Sequence, residues 1–491
     1  MEVIKAINLR QLLEDTVRNH ADRTVLITER QRITYSQLNQ AVNAVARLIN
    51  QAGVSKGDKV ALMLPNIPEF VYSYFGALKI GAIVVPLNTS STPSELTYLL
   101  NNSDAKLLIT QASLVKKYHD AQQQLLSCHQ VMEIDSENQN DAFISNTNSK
   151  DLSELSINID PDDPAAMVYT AGLTGKPLGA VLSHGNLCAE LNMIQPIFRR
   201  GKDDIGLCLI PLFHSFGATV NMMNVIQAGC STVMMNRLTM DGFFSNIERE
   251  KITYICAVPG LYVGMVLYEK AAKYDLSSLQ ICVTGGSAMP PEFIPIFEKK
   301  FNVRILEGYG LTEASPACSF NRIEAVTKPG SIGTPLPGID IKIVDDTGRE
   351  LARNEIGEVI VRGANVMQGY YKDDAATAAV IKEGWLYTGD LGRMDDENYI
   401  FLTGLKKRMI ITSGFNVYPR EVETVLNTHP AIQLSRVSGK KDLMRGEIVK
   451  AEVVLKNGHC PDDKEIMRYC KIYLSNYKVP REVEFVKTIS G

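Results

Sequence analysis

Paired cysteines are missing from this 491-residue chain. Its nine cysteines (Cys128, Cys188, Cys208, Cys230, Cys256, Cys282, Cys318, Cys460 and Cys470) are odd in number, dispersed, and never spaced as C-x-x-C. That argues against a disulfide framework and predicts reduced, mostly buried thiols. His459-Cys460 has no partners at metal-ligand spacing, so no zinc site is expected. Long apolar runs are missing too: stretches such as 80–87 fall far short of the roughly 20 residues that span a bilayer. Residues 1–14 lack a basic segment followed by an apolar core, so no secretory signal is read there. A net charge of -4 leaves no basic footprint for nucleic acid. With 45% hydrophobic and 22% charged residues, the expectation is a cytoplasmic globular protein with no membrane span and no nucleic-acid partner.

What is present is a long alternation of helical and strand patterns. The length exceeds what one compact core supports, which predicts several domains. Apolar residues at helical spacing (Leu12, Leu13, Val17; Leu38, Val42, Val45, Leu48) flank a short strand at 24–28. Further strand signals at 60–64, 82–86, 106–110, 165–170, 205–210, 232–235, 254–258, 280–284 and 303–309 are separated by helical stretches such as 69–78. Strands alternating with helices predict a parallel sheet of the α/β kind. After Gly330 the texture changes to short strands and turn glycines (340–344, 357–362, 399–403), a small β-rich subdomain. A boundary is placed at 404–407, dividing a large N-terminal domain, 1–404, from a small α+β C-terminal domain, 405–491. The Asn- and Ser-rich stretch 136–153 reads as a surface loop.

Tyr169-Thr170-Ala171-Gly172-Leu173-Thr174-Gly175-Lys176-Pro177-Leu178-Gly179 follows an apolar strand. Small residues let backbone N–H groups approach an anion, and Thr hydroxyls with a Lys supply donors and charge. The spacing is neither that of the Walker loop nor that of the dinucleotide fingerprint. A phosphate cradle and a structural turn both remain open on these residues alone. In Tyr309-Gly310-Leu311-Thr312-Glu313 an aromatic face can stack on a purine, Gly permits close approach, and Thr and Glu can serve phosphate and a hard cation.

These segments, with Pro211-Leu212-Phe213-His214-Ser215-Phe216-Gly217, Gly285-Gly286-Ser287-Ala288, Glu307-Gly308, Trp385-Leu386-Tyr387-Thr388-Gly389-Asp390 and Ser413-Gly414-Phe415-Asn416-Val417-Tyr418-Pro419, resemble the adenylate-forming superfamily in order and spacing over nearly the whole chain. The acyl-CoA synthetase branch is the most similar. The resemblance implies ATP-dependent activation of a carboxylic acid, fatty in character, followed by transfer of the acyl group to a thiol. Implied cofactors are ATP, Mg and CoA, or the phosphopantetheine of an acyl carrier protein.

By the same resemblance Lys176, Thr312, Glu313 and His214 are catalytic, with Glu313 also the Mg ligand. Thr170, Gly172, Thr174, Gly175, Gly285, Gly286, Ser287, Glu307, Gly308, Tyr309, Gly310 and Asp390 bind nucleotide: Tyr309 meets adenine, Asp390 meets ribose, and 285–288 form a backbone wall. Gly414 lines the pantetheine route. Lys407 is a hinge about which the mobile C-terminal domain turns between two half-reactions. His214 and Phe216 stand where amino-acid-activating relatives place an Asp, so a plain acid with an apolar tail is expected.

The chain departs from the pattern at Leu173 and Leu178, where a hydroxyl and a basic residue are usual, at Leu405, usually Arg, and at Arg408, usually acidic. The family's adenylation lysine follows a Ser/Thr-Gly, and this chain stops at Ser490-Gly491, so it is read as truncated before that lysine. Two other readings follow: an acyl-AMP ligase loading an acyl carrier protein, and a non-catalytic relative that binds nucleotide or acyl ligand.

Overall fold

The computed structural model describes residues 7–135, 157–171, 176–235, 237–405, 409–456 and 458–489. The expected surface loop at 136–153, the candidate phosphate-loop residues Gly172, Leu173, Thr174 and Gly175, the expected hinge Lys407 with Arg408, and Ser490-Gly491 all lie outside them.

Two sheets organise the larger part. In one of nine strands, Thr24–Ile27, Ser231–Met234, Ile205–Cys208, Tyr254–Ala257, Ile281–Thr284 and Arg304–Gly310 run parallel in that spatial order. Antiparallel strands finish both edges: Arg32–Thr34 on one side, Ala317–Phe320 and Thr334–Pro335 on the other. The second sheet, of seven strands, has a parallel centre of Pro164–Ala171, Ile83–Pro86, Lys59–Met63, Ala105–Gln111 and Gln130–Ile134. Most of these strands match the apolar runs read from sequence, because strands covered on both faces bury every residue. Ile83–Pro86, for example, is buried throughout.

One hydrophobic core joins the two sheets, and helix Pro68–Lys79 runs through it with all twelve residues buried. It packs against helix Tyr35–Gln51 so closely that a Cβ on Gly76 would stand 2.9 Å from Val45 Cγ1. Eight of the nine cysteines are buried. Burial raises the Cys282 and Cys318 thiols, which behave as small apolar groups.

Strands Asp340–Val344, Gly357–Arg362, Trp385–Met394 and Ile400–Leu405 form a separate antiparallel sheet, the expected β-rich part. Within 410–485, a fourth sheet and helices Pro419–Asn427 and Asp463–Tyr473 enclose their own core, including Val422, Leu426, Val437, Ala451 and Ile466. Among the described residues no helix is long and apolar enough to cross a membrane.

Candidate active site

Parallel strands deliver their C-terminal ends to the same edge of a sheet, where ligands of α/β proteins bind. Here the ends of Ile205–Cys208, Ile281–Thr284 and Arg304–Gly310 lead into Pro211–His214, Gly285–Ser287 and Leu311–Glu313 respectively. Three motifs distant in sequence thus converge. Strand Pro164–Ala171 of the other sheet returns antiparallel as Pro177–Ser183, with Thr170 opposite Leu178 and Ala171 opposite Pro177. Thr170 and Lys176 therefore stand at the same end of this antiparallel strand pair.

A cavity of about 550 Å³ is lined by Thr170, Lys176, His214 and Thr312, together with Phe415 and Tyr477 from the C-terminal region. His214 caps the short helix Ser215–Ala218, its Nδ1 accepting from the Phe216 N–H at 3.2 Å. Nδ1 is thereby an acceptor, so the neutral ring carries its proton on Nε2. Desolvation lowers its pKa to about 4, which keeps the imidazole uncharged at neutral pH. Beside it Ser215 Oγ and Thr312 Oγ1 are 3.2 Å apart.

Thr312 and Glu313 begin a single helical turn, Thr312–Ala314. The Tyr370 hydroxyl donates to Glu313 Oε1 at 2.8 Å, and Met367 N donates to the Glu313 carbonyl at 2.9 Å. The Tyr309 hydroxyl donates to Asp390 Oδ2, so the residues expected at adenine and ribose are joined directly. Burial, with the Asp390 carboxylate adding to it, holds the Tyr309 hydroxyl far above its ordinary pKa and hence protonated. Leu405 stands opposite Asp390 in the sheet, at the position where the resemblance expects an arginine.

Glu307 faces inward: its Oε1 accepts from the Met289 N–H at 2.9 Å, and burial pushes its carboxyl up to about 7. It ties the 285–290 loop to the neighbouring strand. Two glycines here are sterically required. A Cβ on Gly310 would lie 1.9 Å from the Pro316 carbonyl oxygen, and one on Gly308 would lie 2.1 Å from the Phe320 ring. Gly286, with φ of +81°, and half-buried Ser287 follow the buried Gly285.

The C-terminal region closes the site from the other side. Ser413 and Gly414, both at positive φ, turn the hairpin between Ile410–Thr412 and Phe415–Val417. A Cβ on Gly414 would meet Val258 Cγ1 at 2.6 Å, and one on Gly286 would stand 3.9 Å from Gly414 Cα. Phe415 stacks between Phe213 (6.2 Å) and Tyr477 (4.7 Å). At the cavity rim Lys478 bridges Glu95 (2.8 Å) and Glu421 (2.7 Å), while Ser475 Oγ donates to the other Glu95 oxygen at 2.6 Å.

Sequence reasoning missed Tyr370, Ser215, Glu95 and Lys478. Ser215 lay inside a quoted motif; the others carry no local signal, since their roles come from partners far away in the chain.

A family model described as AMP-binding enzyme matches residues 13–371, and one described as AMP-binding enzyme C-terminal domain matches 421–491. The chain is 36% identical to a long-chain-fatty-acid–CoA ligase of Bacillus subtilis (strain 168), over 98% of this chain and 91% of that protein. Among solved structures it resembles a double mutant of o-succinylbenzoate CoA synthetase from Bacillus subtilis bound with its product analogue OSB-NCoA (TM-score 0.87, 28% identity, covering 98% of this chain and 95% of that one). It also resembles a Mycobacterium tuberculosis fatty acyl CoA synthetase (TM-score 0.76, 28% identity, 99% and 95%).

Proposed function

The chain belongs to the AMP-binding enzyme family, and from that premise we propose that it converts a fatty acid with ATP into acyl-AMP and then transfers the acyl group to CoA. The observation that carries this reading is the convergence of Thr170, Lys176, His214 and Thr312 on one cavity. The relative named for long-chain fatty acids supports a long apolar tail on the substrate.

In the first step a carboxylate oxygen attacks the α-phosphorus of ATP, and pyrophosphate leaves. Thr170, Lys176 and Thr312 donate to phosphate oxygens as charge moves onto the leaving group, the kind of stabilisation that usually dominates catalysis. Thr174, in the turn outside the described residues, is assigned to the same work. Tyr309 offers its ring to adenine, and Asp390 accepts from the ribose hydroxyls. Glu313 would hold Mg. A single carboxylate fits this ion, which takes one or two carboxylates and completes its shell with substrate phosphates and water. When bound, Mg neutralises charge on the phosphate oxygens.

His214, uncharged, borders the acid without pairing to it as a cation, so the attacking carboxylate keeps its nucleophilicity. In the second step the thiol sulfur attacks the acyl carbonyl and AMP departs. The Gly414 turn, pressed against Val258, serves as one wall of the thiol's approach.

The test follows pyrophosphate release from ATP, Mg and fatty acids of increasing length, with and without CoA, using the protein with any residues its gene encodes beyond Gly491. Acid-dependent release that accelerates with CoA is expected, and Lys176→Ala should slow the adenylation step about ten- to hundredfold. Release indifferent to CoA would move the acceptor to a carrier protein. Nucleotide binding without release would overturn the catalytic reading.

A further inference from the structure

Helix His184–Phe198 carries a carboxyl group that the mechanism does not use. Glu190 is 0% exposed. Its Oε1 accepts from the Ala317 N–H at 3.1 Å and its Oε2 from Asn365 Nδ2 at 3.0 Å. The same Asn365 nitrogen shares its two N–H bonds among three acceptors, lying also 2.7 Å from the Ala314 carbonyl and 2.9 Å from that of Ala317, and Ser315 Oγ donates to the Asn365 backbone carbonyl at 2.7 Å. Thr219 Oγ1 adds a contact to the Ser315 carbonyl at 3.2 Å, and Leu311 N closes the loop onto Pro316 O at 2.8 Å. Every one of these bonds ends on, or within, segment 311–317 or on the Asn365 that clamps it. That segment presents Thr312 and Glu313. We propose that Glu190 is a positioning residue for adenylation, its buried carboxyl fixing through Ala317 and Asn365 the loop that offers Thr312 and Glu313 to the nucleotide.

This inference rests on the assignment of Thr312 and Glu313 to the nucleotide. The chemistry of the clamp gives it a signature. Burial pushes the Glu190 carboxyl up to about 8, against the smaller opposing effects of the Ala317 amide and Asn365. Cys318 on the adjoining strand is itself raised, by burial first and then by Glu190, Asp390 and Glu313, so the groups it feels are anionic. Among the described residues the effects that set the Glu190 carboxyl are burial, the Ala317 amide and Asn365, and no cation is one of them. Glu190 is therefore protonated at neutral pH, and above about pH 8 an unneutralised anion forms beneath the loop.

The experiment compares wild type, Glu190→Gln and Glu190→Leu from pH 6 to 9.5. It measures kcat and KM for acid-dependent pyrophosphate release, and amide protection factors across 311–317 in the ligand-free protein. Glu190→Leu should lose about tenfold or more in kcat with little change in KM for the acid, and Ala317 should lose protection at every pH. Glu190→Gln, which cannot ionise, should match wild type at pH 7 and lack the wild-type fall in kcat and in Ala317 protection above about pH 8. An alkaline fall of the same size in Glu190→Gln overturns the proposal even where Glu190→Leu does not fold. If no protein, wild type included, releases pyrophosphate, the catalytic reading fails while the protection factors still decide whether Glu190 holds the loop.

Discussion

Replacing Lys478 by Met removes one ammonium group from between two buried carboxylates. The side chains of Lys478, Glu95 and Glu421 are 9%, 12% and 11% exposed, so water screens the cluster little. Desolvation pulls the Lys478 pKa down, but Tyr477, Glu421 and Glu95 outweigh it and leave the pKa raised, so the ammonium stays charged. Methionine fills similar volume, and the loss is therefore electrostatic. Removing one partner of a buried ion pair costs about 3–5 kcal/mol. Part of that falls on Lys478–Glu421, inside the C-terminal region, and part on Lys478–Glu95, which ties that region to helix Pro93–Ser103.

At about 3 kcal/mol, local opening becomes about a hundredfold more frequent. Hydrogen exchange reads this at the Lys478 amide, which donates to Ser475 O at 2.8 Å, and at the Thr92 amide, which donates to Glu95 Oε2 at 2.9 Å. A double-mutant cycle with Glu95→Gln isolates the contact across the site from the one within the C-terminal region. Exchange in Lys478→Met within about threefold of wild type at both amides would refute the claim that this cluster holds the two regions together.

Acid should destabilise the protein through His184, which is 0% exposed, whose Nδ1 accepts from the Leu9 amide at 3.2 Å, and whose pKa desolvation lowers to about 4. Between pH 6.5 and 4 the unfolded chain binds a proton there that the folded chain does not, so stability rises with pH across that window and falls on acidification, by up to about 3 kcal/mol. A urea series at pH 4.5 and 7 should show this difference, and His184→Asn should remove the His184 share of it while leaving that of His214, whose pKa burial lowers in the same way. Gly414→Val should impair thioester formation more than pyrophosphate release, because a Cβ there meets Val258 at 2.6 Å and the position has φ of +82°. Single-turnover measurement of each step separates the two, and equal losses in both would contradict the placement of this turn beside the thiol.

Much of this molecule was legible before any coordinates. The runs read at 60–64 and 280–284 announce the strands found at Lys59–Met63 and Ile281–Thr284, because a strand covered on both faces needs no polar alternation. His214 and Asp390 were picked out by the family resemblance alone, whereas the Thr170 to Lys176 loop and Tyr309 to Glu313 offered small residues, hydroxyls and charge at short spacing, which are local facts. Gly310 and Gly414 belong with them: their need for space or positive φ is written into the residue type.

Other features belong to the tertiary structure alone. Glu95 and Lys478 are 383 positions apart, Glu190 and Asn365 are 175 apart, and Tyr370 reaches Glu313 across 57. Nothing in the neighbouring residues marks them. Glu95 opens a helix as an ordinary capping residue, with Thr92, and becomes an anion facing a buried cation only once the C-terminal region folds over it. Glu190 and His214 likewise take their protonation states from desolvation, a property of surroundings that chain folding assembles. Local sequence thus determined which groups could do the chemistry. The long-range fold decided which of them carry charge, what holds them in place, and that the two regions close over one cavity.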